Sequence, residues 1–192
     1  MADARRPGRP RRPEVDRDVL EATLALVAEV GFTATTVEAV ATRAGVGRAT
    51  IYRRWPSREA LLMAAAGELA GPAPAPDTGS LRGDLEEILI GLADDLGSGP
   101  APSVLADIAA EAGRNPELRR LLDAHIHARR QASLEVLERA AARGELHAGT
   151  AHEIVIDLLA GAVLYRLTLR ASAVDASIIA EILDTVLEGI SP

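Results

Sequence analysis

Apolar residues recur along most of this chain at intervals of three and four, which is the period of an α-helix. A short helix is predicted over residues 35–44, and Gly45 ends it because glycine adopts the left-handed backbone at low cost. A second short helix is expected to begin near Gly47 or Arg48. The apolar face of the first helix consists of Val37, Val40, Ala41 and Ala44. No strand-like alternation of apolar and polar residues is present, so the pattern predicts an all-α fold.

The same period predicts seven further helices. They run from about residue 16 to 30, from 58 to 70, through 85–96, from 103 to 112, from 115 to 143, from 150 to 171 and through 178–190. Thr35 with Glu38, and Thr150 with Glu153, have the spacing of a capping box and are predicted to open two of the helices. The stretch at residues 71–80 is rich in proline and glycine and predicts a loop.

The two short helices have the layout of a helix-turn-helix, the motif that presents a helix to the major groove of DNA. Ala41 is small enough for the second helix to cross the first closely, and Ile51 is expected to fill the space between them. An ordinary helix hairpin inside a core is the alternative. A core would not be expected to accommodate four arginines within one short stretch, as found at Arg48, Arg53, Arg54 and Arg58.

This segment resembles the N-terminal DNA-binding domain of TetR/AcrR-type bacterial transcriptional regulators. The matching residues are Gly31-Phe32, Thr35-Thr36-Val37, Ala41, Ala44-Gly45-Val46, Ile51-Tyr52 and Ser57-Arg58-Glu59-Ala60-Leu61. The chain departs from the family at Gly47, Trp55 and Arg58, where serine, phenylalanine and lysine are frequent. The resemblance implies a helix-turn-helix DNA-binding domain at residues 14–62 and a helical effector-binding and dimerisation domain at residues 63–192.

Arg48, at the start of the second short helix, is predicted to donate two hydrogen bonds to a guanine edge. Thr50 is expected to contact a thymine methyl group or a phosphate. The resemblance implies phosphate contacts for Tyr52 and Arg58, and phosphate contacts position a protein without reading sequence. The predicted DNA-binding residues are Thr35, Thr36, Gly47, Arg48, Ala49, Thr50, Tyr52, Arg53, Arg54 and Arg58. Trp55 and Phe32 are predicted to be packing residues.

The formal net charge of −7 is unusual for a DNA-binding protein, but its distribution is uneven. Residues 1–58 hold 11 arginines and 7 acids, whereas residues 59–192 hold 10 arginines and 21 acids. The first 13 residues are rich in arginine and proline and are predicted to be a disordered arm. Its Gly8-Arg9-Pro10 sequence resembles an AT-hook, so the arm either enters the minor groove or is a solvated tail.

The predicted helix from residue 150 to 171 is apolar nearly all round between Ile154 and Leu169. Such a helix must be covered on more than one side, most simply by a second copy of the chain. The alternative is a central helix buried within one subunit. In TetR-type proteins the last two helices form a four-helix interface between subunits. The predicted dimer-interface residues are therefore Leu158, Gly161, Ala162, Ile179, Leu183 and Val186.

The resemblance also implies a small-molecule cavity in the larger domain. Tyr165 is the one aromatic residue beyond residue 62, so the cavity is expected to be mainly aliphatic. His125 and Arg129 lie one helical turn apart and are candidates to orient a carboxylate or hydroxyl, although a structural histidine is the alternative. The candidate ligand-binding residues are Leu89, Leu92, Ile108, His125, Arg129 and Tyr165.

Catalytic and metal-binding chemistry are not expected. The chain has no cysteine, which excludes disulfides and thiolate metal sites. His125 and His127 are two residues apart on a helix and point in different directions. His152-Glu153 begins like a zinc-protease motif, but Ile156 occupies the position of the second histidine. No secretory signal and no membrane span are predicted, so a cytoplasmic protein without a cofactor is expected.

These observations predict a homodimer that binds a palindromic double-stranded DNA operator and represses transcription until an unidentified small-molecule effector enters the larger domain. An architectural DNA-binding protein without an effector, a ligand-independent activator and a helical enzyme are the alternatives.

Overall fold

A computed structural model describes residues 13–97, 99 and 101–191. These residues form helices and connecting loops, with no β-strand among them, which confirms the predicted all-α class. The helices are α1 (Pro13–Val30), α2 (Val37–Arg43), α3 (Arg48–Tyr52), α4 (Arg58–Leu69), α5 (Leu81–Leu96), α6 (Ala101–Ala112), α7 (Pro116–Ala142), α8 (His152–Leu164) and α9 (Ala176–Leu187). A π-helical turn, Tyr165–Leu169, continues α8. None of the described helices has the length and apolar character that a membrane crossing requires.

Helices α1 to α3 and the first half of α4 pack together as an N-terminal unit. Ile51 of α3 and Val40 of α2 are fully buried in its core, with Ala41 beside them. Trp55 packs at the edge of this core, and Phe32 is buried where the unit meets the rest of the chain. The predicted packing roles of Ala41, Ile51 and both aromatic residues are therefore confirmed.

Two of the predicted capping arrangements are wrong. The residue that caps α2 is Thr36, whose side chain accepts a hydrogen bond of 3.1 Å from the Ala39 amide. The Thr35 hydroxyl points away from α2 and donates to the Gly31 carbonyl at 2.9 Å. At α8 the cap position is Ala151, and the Thr150 hydroxyl donates to the His147 carbonyl instead. In both places the threonine hydroxyl donates a hydrogen bond to the carbonyl of an earlier residue. A capping hydroxyl must instead accept a hydrogen bond from the amide of a later residue.

Arg58, the first residue of α4, holds the loop between α1 and α2 in place. Its Nε donates to the Thr35 carbonyl at 2.7 Å, and its Nη2 donates to the carbonyls of Phe32 and Thr33. Its Nη1 donates to Glu59 at 3.2 Å. The guanidinium also lies 5.2 Å from the centroid of the Phe32 ring, within cation–π distance. One side chain therefore satisfies three backbone carbonyls of a loop that has no regular structure of its own.

Helices α5 to α9 form a C-terminal bundle whose core includes Leu85, Val136, Leu137, Val163 and Leu183. Helix α4 connects the two units without a break. Leu61 and Ala65 belong to the core of the N-terminal unit, whereas Ala70, after the end of α4, belongs to the core of the C-terminal bundle. The domain boundary expected between residues 62 and 63 therefore falls inside one continuous helix.

The proline-rich stretch at residues 71–80 is a loop, as predicted, and a buried carboxylate holds it in place. Asp84 accepts hydrogen bonds from the Thr78 amide at 2.6 Å and from the Thr78 hydroxyl at 2.8 Å. Arg139 of α7 approaches the same carboxylate at 3.4 Å. Burial is the largest influence on the pKa of Asp84 and raises it, but Thr78 and Arg139 together hold that pKa below its ordinary value. The carboxylate is therefore charged at neutral pH.

Replacing Arg58 by alanine is expected to lower the free energy of unfolding by about 1.5–3 kcal/mol, because hydrogen bonds from a charged donor to three carbonyls are lost. Urea denaturation followed by circular dichroism measures the change. Arg53→Ala is the matched control, since Arg53 is exposed and close in sequence. A shift for Arg58→Ala no larger than that for Arg53→Ala would show that the loop does not depend on this guanidinium.

Candidate DNA-binding surface and ligand cavity

Helix α3 is held by its apolar side and leaves its polar side open. Gly45 has a φ of +66°, and this left-handed turn lets the Val46 amide bond the Ala41 carbonyl at 3.0 Å. The chain then enters α3 at Gly47, with Ile51 directed into the core. The turn at Gly45 and the buried Ile51 side chain therefore determine which side of α3 is exposed to solvent.

The exposed side of α3 carries most of the predicted DNA-binding residues. The side chain of Arg48 is 63% exposed, and its one ion-pair contact among the described residues is with Glu38 at 3.7 Å, which is itself exposed. Tyr52 and Arg53 are exposed, and Thr50 is partly exposed. Gly47 and Ala49 are exposed beside them, and Thr36 is exposed at the start of α2. These seven residues lie at the surface on the two short helices or next to them.

Three other predicted DNA-binding residues are engaged inside the chain. Thr35 is only 1% exposed, and its hydroxyl is bonded to the Gly31 carbonyl. The donors of Arg58 are occupied by loop carbonyls and Glu59. Arg54 is mostly buried, and its Nε contacts Asp16 of α1. The predicted contacts of Thr35 and Arg58 with DNA are therefore not supported by this geometry, and Arg54 is held to α1.

The positive charge predicted for the N-terminal region comes from the arm. Residues 13–58 contain six arginines and six acids, so the excess of residues 1–58 resides in residues 1–12. The predicted arm, including Gly8-Arg9-Pro10, lies outside the described residues. Within the described part, Arg43 forms two hydrogen bonds with Glu29, at 2.8 and 2.6 Å, while Arg48 and Arg53 are more accessible. Two accessible cations of this region therefore lie on α3 and directly after it, and a third, Arg17, is exposed on α1.

Several polar residues that join the two units were not identified from the sequence. Asp107 of α6 accepts a hydrogen bond of 3.3 Å from the Phe32 amide. At the start of α7, Glu117 accepts from the Ser57 hydroxyl at 2.7 Å, and Asn115 donates to Glu59 at 3.4 Å. Their partners are distant in sequence, so no local pattern could have indicated these contacts.

An apolar cluster lies beneath these polar contacts, and we call it the interdomain cluster. It consists of Val27, Phe32, Leu62, Met63, Val104, Ile108, Ala112, Leu118 and Leu122. Its members come from α1, the α1–α2 loop, α4, α6 and α7. The N-terminal unit and the C-terminal bundle therefore share buried surface and are not connected by a flexible linker.

The C-terminal bundle contains a cavity of about 670 Å³, lined by residues of α4 to α8 and of the π-helical turn. Small-molecule sites commonly have volumes of ~300–1,000 Å³. Five of the six predicted ligand-binding residues line it: Leu89, Leu92, Ile108, His125 and Arg129. Tyr165 is not among the lining residues and is exposed on the outer face of the bundle, so its predicted role in the cavity is not supported.

The polar groups of the cavity lie mainly on one wall. His125, Arg129 and Ser133 follow each other at intervals of four along α7 and all line the cavity. Burial, the largest influence, and the charge of Arg129 hold the pKa of His125 below its ordinary value, although a hydrogen bond to the backbone of Ala70 opposes this effect. His125 is therefore neutral at pH 7. Most of the remaining lining is aliphatic, as predicted from the shortage of aromatic residues.

An exposed apolar strip runs along the outer face of α8 and its π-helical turn. We call this strip, formed by Ile154, Leu158, Gly161, Tyr165 and Leu169, the exposed α8 stripe. Leu158 is 56% exposed and Leu169 is 77% exposed, which is unusual for leucine. The predicted interface residues Leu158 and Gly161 lie on this stripe, and Ala162 is partly exposed beside it.

The other predicted interface residues, all on α9, face inward. Ile179 is 2% exposed and Leu183 is fully buried, and both belong to the core of the C-terminal bundle. Val186 is partly buried against the same core. The most apolar side of α9 is used to cover α5 and α8 of its own subunit. Ile179 and Leu183 are therefore core residues of one subunit and not contact residues of an interface.

Comparisons with known proteins agree with this geometry. Residues 19–65 match the family of bacterial regulatory proteins named tetR, and residues 75–186 match the tetracyclin repressor-like C-terminal domain. An HTH-type transcriptional regulator of Mycobacterium tuberculosis is 34% identical over 79% of this chain and 75% of its own length. The regulator YdeS of Bacillus subtilis is 30% identical over 95% of this chain and 93% of its own length.

Solved structures resemble the chain over almost its whole length. The TetR family transcription regulator SCO0332 is 28% identical, with a TM-score of 0.70, over 93% of this chain and all of that protein. FadR of Bacillus subtilis, solved in complex with stearoyl-CoA, has a TM-score of 0.73 at 16% identity and covers 91% of this chain and 98% of its own. With a helix-turn-helix unit and a helical C-terminal bundle both matched, the chain belongs to the TetR family of bacterial transcriptional regulators.

Proposed function

We propose that this regulator is a homodimeric repressor that binds a palindromic operator in the cytoplasm and leaves it when a small amphipathic effector occupies the cavity. The DNA-binding part of the proposal rests on the exposed side of α3, where Arg48 is 63% exposed and lies 3.7 Å from Glu38. In helix-turn-helix proteins the N-terminal residues of the second helix contact base edges. Arg48 is therefore the residue proposed to read a guanine.

The phosphate contacts are assigned to the other accessible side chains. Arg53 is an exposed cation directly after α3, and Tyr52 beside it is also exposed. Thr36 caps α2 as an acceptor, which leaves its hydroxyl hydrogen available for a phosphate oxygen. Arg58 is left out of this surface, because it acts on DNA binding only by holding the loop before α2.

Dimerisation is proposed to occur through the exposed α8 stripe. Four large apolar side chains lie within five helical turns on one face, and a second copy of the same stripe would bury them symmetrically. Gly161 lies in the middle of the stripe, and a Cβ atom added there meets no atom within 4 Å. Two copies of α8 are therefore able to approach closely at this point. Half-sites of the operator are then expected about 34–36 Å apart, or near a multiple of that distance.

Effector control is supported by the residues that the cavity and the interdomain cluster have in common. Met63, Val104, Ile108 and Leu122 belong to both. A molecule that fills the cavity must contact these side chains, and close-packed side chains transmit displacement to their neighbours. The neighbours here are Phe32 and Val27 of the N-terminal unit. The effector releases the operator if it binds more tightly to an arrangement of the dimer in which the two N-terminal units no longer fit the operator.

Arg48→Ala is expected to reduce affinity for a duplex selected in vitro by about 10–100-fold while changing affinity for a scrambled duplex much less, because a base contact is lost. Arg53→Ala is expected to weaken binding to both duplexes similarly and to reduce the salt dependence by about one phosphate contact. Fluorescence anisotropy at several salt concentrations measures both effects. Equal losses on the two duplexes for both variants would remove Arg48 from the role of base reader.

Gly161→Glu is expected to convert the dimer into monomers, because it places a charge in the centre of an apolar interface. Sedimentation velocity measures the change. Gly91→Glu on α5 is the matched control, since Gly91 is also an exposed helical glycine with open space around its Cβ position. Neither substitution meets a steric obstacle within one subunit. A Gly161→Glu protein that still sediments as a dimer would show that the subunits associate elsewhere.

A further inference from the structure

Arg129 of α7 connects the cavity to the C-terminal end of α4. Its Nη1 donates to the Gly71 carbonyl at 3.1 Å and lies 3.2 Å from a carboxylate oxygen of Asp95 on α5. One turn earlier on α7, the backbone of Ala70 acts on His125 and opposes the lowering of its pKa. The Gly71 carbonyl, just after α4, is thus held by a cavity-lining side chain of α7.

The opposite end of α4 is held to the same helix by other residues. Glu117 accepts from Ser57 at 2.7 Å, and Asn115 donates to Glu59 at 3.4 Å. Helix α4 therefore runs parallel to the first half of α7 and is attached to it at both ends. Only the attachment at the C-terminal end is made by residues that line the cavity.

The guanidinium of Arg129 has unused binding capacity. Both of its contacts are made by Nη1, and no hydrogen bond from Nε or Nη2 is found among the described residues. The side chain is 22% exposed, so it is accessible from the cavity and yet mostly withdrawn from bulk solvent. The edge formed by Nε and Nη2 matches the two oxygens of a carboxylate. Arg129 can therefore accept a planar anion as a further partner.

The other charged groups of the cavity do not compete for this role. Arg130 binds Asp157 through Nη1 and Glu153 through Nη2, so its Nε–Nη2 edge is already engaged. The lowered pKa of His125 leaves it neutral at pH 7, so it adds no positive charge to the cavity. Almost all other lining residues are aliphatic, including Leu85, Leu89 and Leu159. Among the described residues that line the cavity, Arg129 is thus the cation whose Nε–Nη2 edge is unused, and most of the lining around it is apolar.

From this arrangement we infer that the effector is an amphipathic carboxylate, with an aliphatic tail in the cavity and a carboxylate bound by the Nε–Nη2 edge of Arg129. A carboxylate fits better than a larger polyanionic head, because Arg129 is the one arginine with a whole Nε–Nη2 edge unused among the described lining residues. The same guanidinium holds the Gly71 carbonyl through Nη1, so a carboxylate bound at its other edge pulls on a side chain that is attached to the end of α4. The consequence for DNA binding rests on the proposed repressor function, because it requires that the end of α4 respond to the ligand.

Isothermal titration calorimetry of the full chain with decanoate, 1-decanol and decyltrimethylammonium tests the assignment, since the three probes share one tail. Decanoate is expected to bind at least about tenfold more tightly than either of the others, as expected for a charge-assisted hydrogen bond. Arg129→Gln is expected to remove this preference by weakening decanoate binding at least about tenfold. Continued binding of 1-decanol by this variant shows that the cavity is intact. Arg129→Lys is expected to retain only part of the preference, because it keeps the charge and loses the paired donors.

Arg120→Gln is the control, because Arg120 is an exposed residue of the same helix and does not line the cavity. It is expected to preserve the full preference for decanoate. Absence of decanoate binding, equal binding of the three probes, or a preference that survives Arg129→Gln would each overturn the inference and leave the proposed repressor function standing. A different result would separate the two proposals: Arg129→Gln loses the preference for decanoate, but decanoate does not weaken DNA binding by the unmodified protein. That result would support an amphipathic carboxylate as the ligand and overturn effector control of DNA binding.

Discussion

The attachment of α4 to both units is the constraint on which the rest of this structure depends. Its buried side chains contribute to the core of the N-terminal unit through Leu61 and Ala65 and to the interdomain cluster through Leu62 and Met63. A helix with buried residues on more than one face cannot shift without disturbing each core, because interiors are close-packed. The N-terminal unit therefore has a fixed orientation relative to the C-terminal bundle until some event changes the packing around α4.

The polar contacts around α4 make this attachment specific. Arg58 satisfies carbonyls of the α1–α2 loop, while Ser57 and Glu59 bind the start of α7. Apolar packing alone would tolerate small rotations, whereas hydrogen bonds with defined donors and acceptors select one arrangement. The same residues that position α4 thus also position the loop that leads into the helix-turn-helix. Four arginines near α3 resemble DNA contacts in the sequence. In the structure Arg54 and Arg58 bind other parts of the protein, whereas Arg48 and Arg53 are exposed.

The C-terminal bundle uses its two last helices differently. Helix α9 turns Ile179 and Leu183 inward and completes the core of its own subunit, whereas α8 buries one face and leaves the exposed α8 stripe uncovered. The cavity lies behind this stripe, and Gly161 and Leu169 are part of both. A second copy on the stripe and an effector in the cavity, both of them proposals, would therefore lie close to each other and to the end of α4.

The sequence by itself determined the helices, the turn at Gly45 and the helix-turn-helix, because these depend on residues that are close along the chain. The resemblance to TetR-type regulators implied a cavity, and the shortage of aromatic residues indicated that its lining would be aliphatic; five of the residues expected there do line it. Only the tertiary structure decided which arginines remain free, because Arg54 and Arg58 find their partners in other elements. It likewise decided that Tyr165 lies outside the cavity and that α9 faces inward. Periodicity identifies an apolar face but not the surface that covers it, and that surface is supplied by segments tens of residues away.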